Sequence, residues 1–328
     1  MKPIVTYFAT VLLISGCITN PSTDNPPTQP DNTLERQPVK TASMTCGNSQ
    51  TQVNQARQAK NLRQLKALLP KVSSSCSEGY TDTVKRELSE IAAAKAKVKV
   101  QQGQLEEGEK LLKEYAELNI WATQVLRGDI RAKRKQWELA AGFYNQSLDL
   151  LNDPKITPQR PSRSEIERVY RLANETQLLL GKLLTVRGSG KASGSLRDDL
   201  GIEIRERPIP VQFKFNQTEL TTNGEESAIL LVKYLEDAKP RRVTLIGHTD
   251  HHGEVDYNCD LSKRRALALK KHLVDAGIRA PIKIIAKGEN RPLELYDPSA
   301  YTQKQIEQIN RRAEFAIDRE VSYDGACS

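Results

Sequence analysis

The stretch 247–266, GHTDHHGEVDYNCDLSKRRA, constrains the fold more than any other part of this chain. Residues 242–247 lead into it with Val243 and Leu245 on one face, as in a half-buried strand. Gly253 supplies a turn. A helix is expected over 262–276, starting near Asp260-Leu261-Ser262, with Ala266, Leu269, Leu273 and Ala276 at helical spacing and Gly277 as its stop signal. This order sets a carboxylate, Asp250, at the mouth of a strand and a guanidinium, Arg265, in the first turn of a helix. One such pair suits a zwitterionic, amino-acid-like ligand. Arginine takes a carboxylate bidentately, a helix N-terminus adds positive potential, and the aspartate takes the ammonium.

The flanking sequence extends the pattern. Val211, Phe213 and Phe215 alternate with Gln212 and Lys214, which predicts a strand. Thr222 and Glu225 have capping-box spacing ahead of an apolar helix through 228–235. Further strands are expected at 282–286 and 313–317. The result is an α/β sandwich with helices on one side of the sheet. Gly247-His248-Thr249-Asp250, Gly253, Tyr257-Asn258, Leu261-Ser262 and Arg265-Ala266 together resemble the OmpA-like peptidoglycan-binding domain, as does the closing segment from Asn310 to Phe315. The resemblance covers roughly 206–320, and the domain is drawn at 206–322. It implies that Asp250 and Arg265 grip the diaminopimelate of the peptidoglycan stem peptide, with Thr249, Asn258 and Leu261 around them. FKFNQTEL resembles the family's FxFN or FxFD segment, which places Phe215, Asn216 and Leu220 in the same groove. Of the adjacent Arg311 and Arg312, one is expected at the pocket and the other at the sheet edge; Arg312 is assigned to the pocket.

The first residues say where such a domain would work. A short charged start and an apolar run over 4–14, too short for the ~20 residues that span a bilayer, end in Leu13-Ile14-Ser15-Gly16-Cys17. This resembles the bacterial lipobox, giving a signal peptide at 1–16 and lipidation at Cys17. No aspartate follows Cys17, which points to the outer membrane, facing the periplasm. The polar, proline-rich 17–45 reads as a disordered tether. Of five cysteines, four remain for disulfides, and three connectivities are open. Proximity favours Cys46–Cys76, worth roughly 3 kcal/mol in the chain-entropy model, and Cys259–Cys327 in the 323–328 tail.

Residues 46–186 are helical in pattern and carry a repeat. Ala96, Gly103, Leu105, Gly108 and Leu112 recur 32 positions later as Gly128, Lys135, Trp137, Ala140 and Tyr144. The spacing resembles tetratricopeptide hairpins, and a plain helical bundle is the alternative. Pro154, Pro158 and Pro161 form a connector, Ser162 and Glu165 cap a further helix along Val169, Leu172, Ala173, Thr176 and Leu180, and 187–205 reads as a flexible linker. The fold class is therefore α+β overall, with N-terminal all-α hairpins and a C-terminal α/β sandwich.

A net charge of +8 suits anionic partners, but an exported chain would not meet nucleic acid. Lys263, Arg264, Lys270 and Lys271 read as a solvated helix face. Two rival functions stand beside this one. His248, Asp250, His251, His252 and Cys259 have metal-ligand chemistry, but the family pattern already accounts for His248, and an exported cysteine tends to be oxidised, so no metal or other cofactor is expected. No HExxH, nucleophile elbow or cysteine–histidine peptidase context is present, so no enzyme is expected either. The reading is an outer-membrane lipoprotein that binds peptidoglycan non-covalently and offers its helical region to a protein partner. The alternatives are a metal-binding periplasmic protein, or a part of a secretion or surface-organelle machine in which wall binding is secondary.

Overall fold

Seven helices precede a four-stranded sheet in the computed structural model, which describes residues 45–151, 153–185, 194–214 and 217–327. The leader, Cys17 and the tether lie outside these residues, as do Phe215, Asn216 and 186–193. Helices α1 (Cys46–Gln58) and α2 (Leu62–Ser75) form a first hairpin, which the Cys46–Cys76 disulfide closes. Then follow α3 (Glu78–Gln101) with α4 (Leu105–Tyr115), and α5 (Trp121–Lys133) with α6 (Trp137–Leu150).

The residues 32 apart occupy matching places in these last two hairpins. Gly103 and Lys135 both turn the chain with positive φ, 78° and 59°. Leu105 and Trp137 each open the second helix. Small residues sit where the paired helices touch: a Cβ on Gly128 would lie 2.6 Å from the Tyr144 ring, and one on Gly108 would lie 2.9 Å from Val100. Lys135 reaches further, donating to the carbonyl of Ala300 in the C-terminal half.

Helix α7 (Arg163–Leu180) opens with the Ser162/Glu165 capping box and stops at Gly181 in left-handed conformation. One apolar face was expected, yet every residue from Leu172 to Leu179 is buried. The helix is enclosed because it packs on α6 and also on the C-terminal half. Leu178 and Leu179 meet Leu295, Tyr301 and Ile309. The buried Glu175 carboxylate accepts from the Tyr296 backbone N–H (2.7 Å) and the Tyr301 hydroxyl (3.0 Å). Gly194–Leu196, within the stretch read as a flexible linker, is a buried 3-10 turn held by Ser195, which receives the Gln177 amide at 2.8 Å and donates from its backbone to Asn145. The described residues thus fall in one compact unit.

The sheet runs β1 (Arg207–Ile209), β4 (Ala313–Ile317), β2 (Val243–His248), β3 (Ile282–Gly288), with β2 and β3 parallel and the other pairs antiparallel. The first strand lies four residues earlier than the alternation at 211–215 suggested; there only an isolated bridge forms, between Phe213 and Leu220. Helix α8 (Thr222–Ala238) is capped by Thr221, one residue before the expected box, whose hydroxyl accepts from Gly224 N–H. With α9 (Val255–Asp275), α8 covers one sheet face through Leu231, Leu235, Leu269 and Leu273 against Val243, Leu245 and Phe315. Full burial of a side chain such as Phe315 contributes roughly 2–3 kcal/mol.

Helices do not lie on one side alone. On the opposite face, Tyr170, Asn174 and Glu175 of α7 line a cleft of about 440 Å³ together with Glu206, Arg291, Arg312 and Glu314. The C-terminal tail covers the rest. Buried Lys287 donates to the carbonyls of Ser322 and Asp324, and the Cys259–Cys327 disulfide ties the tail to α9.

Candidate ligand-binding site

The approach of β2 to α9 sets up the site. A Cβ on Gly247 would stand 2.3 Å from the carbonyl oxygen of Ser262, so only glycine lets strand and helix come this close. Buried Ser262 donates to Cys259 O and accepts from Gly288 N–H, locking the ends of β2 and β3 against the helix. Beyond β2, Thr249 N–H bonds to Gly288 O at 2.8 Å, and Asp250 follows at the sheet's rim.

Asp250 is held on both oxygens. Oδ1 accepts the His252 backbone N–H at 2.9 Å, and Oδ2 accepts Arg311 at 2.6 Å. Its side chain is only 12% exposed. Burial pushes the carboxyl pKa up, but Arg311 and the His252 N–H outweigh burial and hold it below the ordinary aspartate value.

Gly253, at φ 101°, makes the turn, and α9 begins at Val255, seven residues before the expected start. Glu254 stands at the N-cap and Asp256 in the first turn, where carboxylates favour the helix dipole. Arg265 consequently lies in the third turn rather than the first, and no helix N-terminus reinforces it. Its guanidinium stacks over the Phe213 ring at 5.4 Å, and its Nε is buried without a hydrogen-bond partner. Among the described residues no carboxylate pairs with it. Burial, then the Arg311 charge beside it, lower its pKa. Leu220 bridges to Phe213 and extends this apolar floor.

The other expected residues divide. Buried Asn258 donates to His252 O (3.0 Å) and Glu289 (2.5 Å), so its amide holds the turn in place. Leu261 is buried under the helix. Thr249 is buried and its hydroxyl has no partner.

Arg312 does not reach Asp250. It lies 2% exposed on the far sheet face, bonded to Glu314 at 2.8 Å. Side chains alternate along a strand, and Arg312 shares its face with Glu314 two residues on. Arg311, the neighbour assigned to the sheet edge, is the one that pairs with Asp250.

Of the residues with metal-ligand chemistry, two are drawn away from the rim. Cys259 is in its disulfide, and His248 is buried on the far face with Nε2 3.5 Å from Glu314. Burial, with Arg312 nearby, lowers the His248 pKa and keeps the ring neutral. His251 and His252 remain exposed beside Asp250.

The site therefore offers one anchored carboxylate and two arginines, one of them unpaired, on an apolar floor. The C-terminal part is thus a mixed four-stranded α/β domain with a charged rim. Residues 212–305 match the OmpA family. The peptidoglycan-associated lipoprotein of Pseudomonas aeruginosa is 31% identical over 130 residues, covering 39% of this chain and 73% of that protein. That of Haemophilus influenzae is 33% identical over 118 residues, covering 35% and 72%. The chain belongs to the OmpA family. Among solved structures, the peptidoglycan-associated lipoprotein of Burkholderia pseudomallei is 23% identical, covering 34% of this chain and 89% of that one, with a TM-score of 0.28.

Proposed function

We propose that this protein binds peptidoglycan through the rim site, as a lipoprotein anchored by Cys17 in the outer membrane and facing the periplasm. Arg265 carries the reading. It is a half-buried guanidinium whose Nε has no hydrogen-bond partner and which closes no ion pair among the described residues, although the charge of Asp250 acts on it. Burying a cation without a counterion is costly, and an incoming carboxylate would repair that deficit. A zwitterionic stem-peptide residue, diaminopimelate above all, supplies a carboxylate for Arg265 and Arg311 and an ammonium for Asp250. Thr249, with its free hydroxyl, and Leu220, on the floor, border the ligand; Phe215 and Asn216 join them by the family pattern alone. The role is binding rather than catalysis. The names of the relatives above support wall association. Among the described residues no helix is long and apolar enough to cross a membrane, and a lipid on Cys17 would supply the attachment. The helical hairpins, tetratricopeptide-like in spacing, offer a surface to a protein partner.

Pelleting of the purified chain with isolated sacculi tests this. Asp250→Ala and Arg265→Ala should each reduce pelleting at least tenfold with an unchanged circular dichroism spectrum. Arg265→Lys should also bind poorly, because an ammonium cannot reproduce the bidentate contact. Wild-type pelleting by both alanine variants would remove the proposal.

A further inference from the structure

The geometry points to a second site at the same rim: we infer that His251, His252 and Glu307 bind a divalent transition metal, zinc being the best fit. One ligand atom from each of the three lies within 4.8 Å of the other two, although Glu307 is remote in sequence, on α10 (Gln303–Asn310). The imidazole rings of His251 and His252 are 4.5 Å apart, centroid to centroid. His252 Nδ1 is 3.9 Å from Glu307 Oε2 and 3.0 Å from Asp250 Oδ1. Zinc bonds of about 2.0–2.1 Å set tetrahedral ligand atoms roughly 3.3 Å apart, so modest side-chain rotations close the shell. The His252 side chain is 63% exposed and free to make them, whereas Glu307, at 15%, is the fixed member.

Asp250 fits as a fourth donor. Its Oδ1 faces His252 while Oδ2 remains with Arg311. Two imidazoles with two carboxylates favour zinc over calcium or magnesium, which take oxygen ligands. Background is low, since the chain has only four histidines: His248 is buried on the far sheet face, and His272 lies at the other end of α9.

The two sites share Asp250, but the test is independent of wall binding, because zinc chloride is titrated alone. Calorimetry on the untagged full chain should give one zinc per chain, with at least tenfold weaker binding in His251→Ala and in Glu307→Gln. His272→Ala should bind as wild type. Cobalt(II) should give an intense tetrahedral visible spectrum that both site variants lose, while circular dichroism confirms that they are folded. Absence of stoichiometric zinc binding, unchanged affinity in both site variants, or an equal loss in His272→Ala would overturn the assignment.

Discussion

Removing the Arg312 guanidinium should destabilise the fold, by an amount set by the pH. In Arg312→Met, Glu314 remains 6% exposed in side chain and loses both contacts from Arg312, keeping His248 at 3.5 Å and the charge of Arg291, with the like-charged Glu206 beside it. Breaking a buried ion pair by deleting one partner costs about 3–5 kcal/mol. Protonation limits that penalty, since the orphaned carboxyl can take up a proton instead of staying charged. From an unperturbed value of about 4.3, neutralising it costs about 4 kcal/mol at pH 7 and about 1 kcal/mol at pH 5. In the wild type, burial opposes ionisation of Glu314, but Arg312 overcomes it and holds the group well below the ordinary range, so it stays charged at both values. The sign follows: the variant's folded-state pKa lies above the unfolded one, so its stability relative to wild type falls as pH rises. Urea unfolding at the two pH values should show a deficit several-fold smaller at pH 5. The double variant Arg312→Met/Glu314→Leu should recover most of the loss. Unchanged stability together with lost sacculus pelleting would refute this account and return Arg312 to the ligand site.

Gly247→Ala should cost at least about 1–3 kcal/mol, because its Cβ would meet the Ser262 backbone at 2.3 Å and nothing flexible can yield; a lowered thermal midpoint checks this. Asp149 is half-buried beside Arg197, one of its oxygens unbonded, and desolvation lifts its carboxyl to about 6 despite that arginine. The contribution of Asp149 to stability should therefore fall as pH rises from about 4 to about 6, by up to roughly 3 kcal/mol, so the stability difference between wild type and Asp149→Asn should shift by that amount across the same range in urea titrations. Replacing both Cys46 and Cys76 by alanine should lower stability by roughly 3 kcal/mol, read from the urea midpoint.

Much of the C-terminal architecture was legible because its signals are local. Strand β4 falls at the expected 313–317, and α7 starts at its Ser162/Glu165 box. The packing of α7 was not legible. Thr176 falls on the expected face, but Asn174, Glu175 and Gln177 lie off it, and contacts remote in sequence, such as Glu175 with Tyr301 and Gln177 with Asn145, make these positions interior. The start of α9 was misjudged for a related reason. Gly253 was read as a turn inside a loop, but that turn ends at the helix N-cap, Glu254, so Asn258 and Leu261 join the buried stripe of one long helix.

The site was half legible, and the missing half is a matter of register. Asp250 and Arg265 stand out by their motif, but Arg311 and Arg312 are chemically identical neighbours. Nothing local says which one faces the rim. That choice depends on where β4 begins: with Ala313 paired to Gly247 and Glu314 to Ile246, Arg312 turns inward to Glu314. Arg311 is left at the end of α10, where it reaches Asp250. A shift of one residue would exchange the two roles. The buried Arg312–Glu314 pair opposes such a shift, because slipping would expose one partner and strand the other. The charge network on the far face therefore fixes which arginine meets Asp250, although it does not touch Asp250 itself.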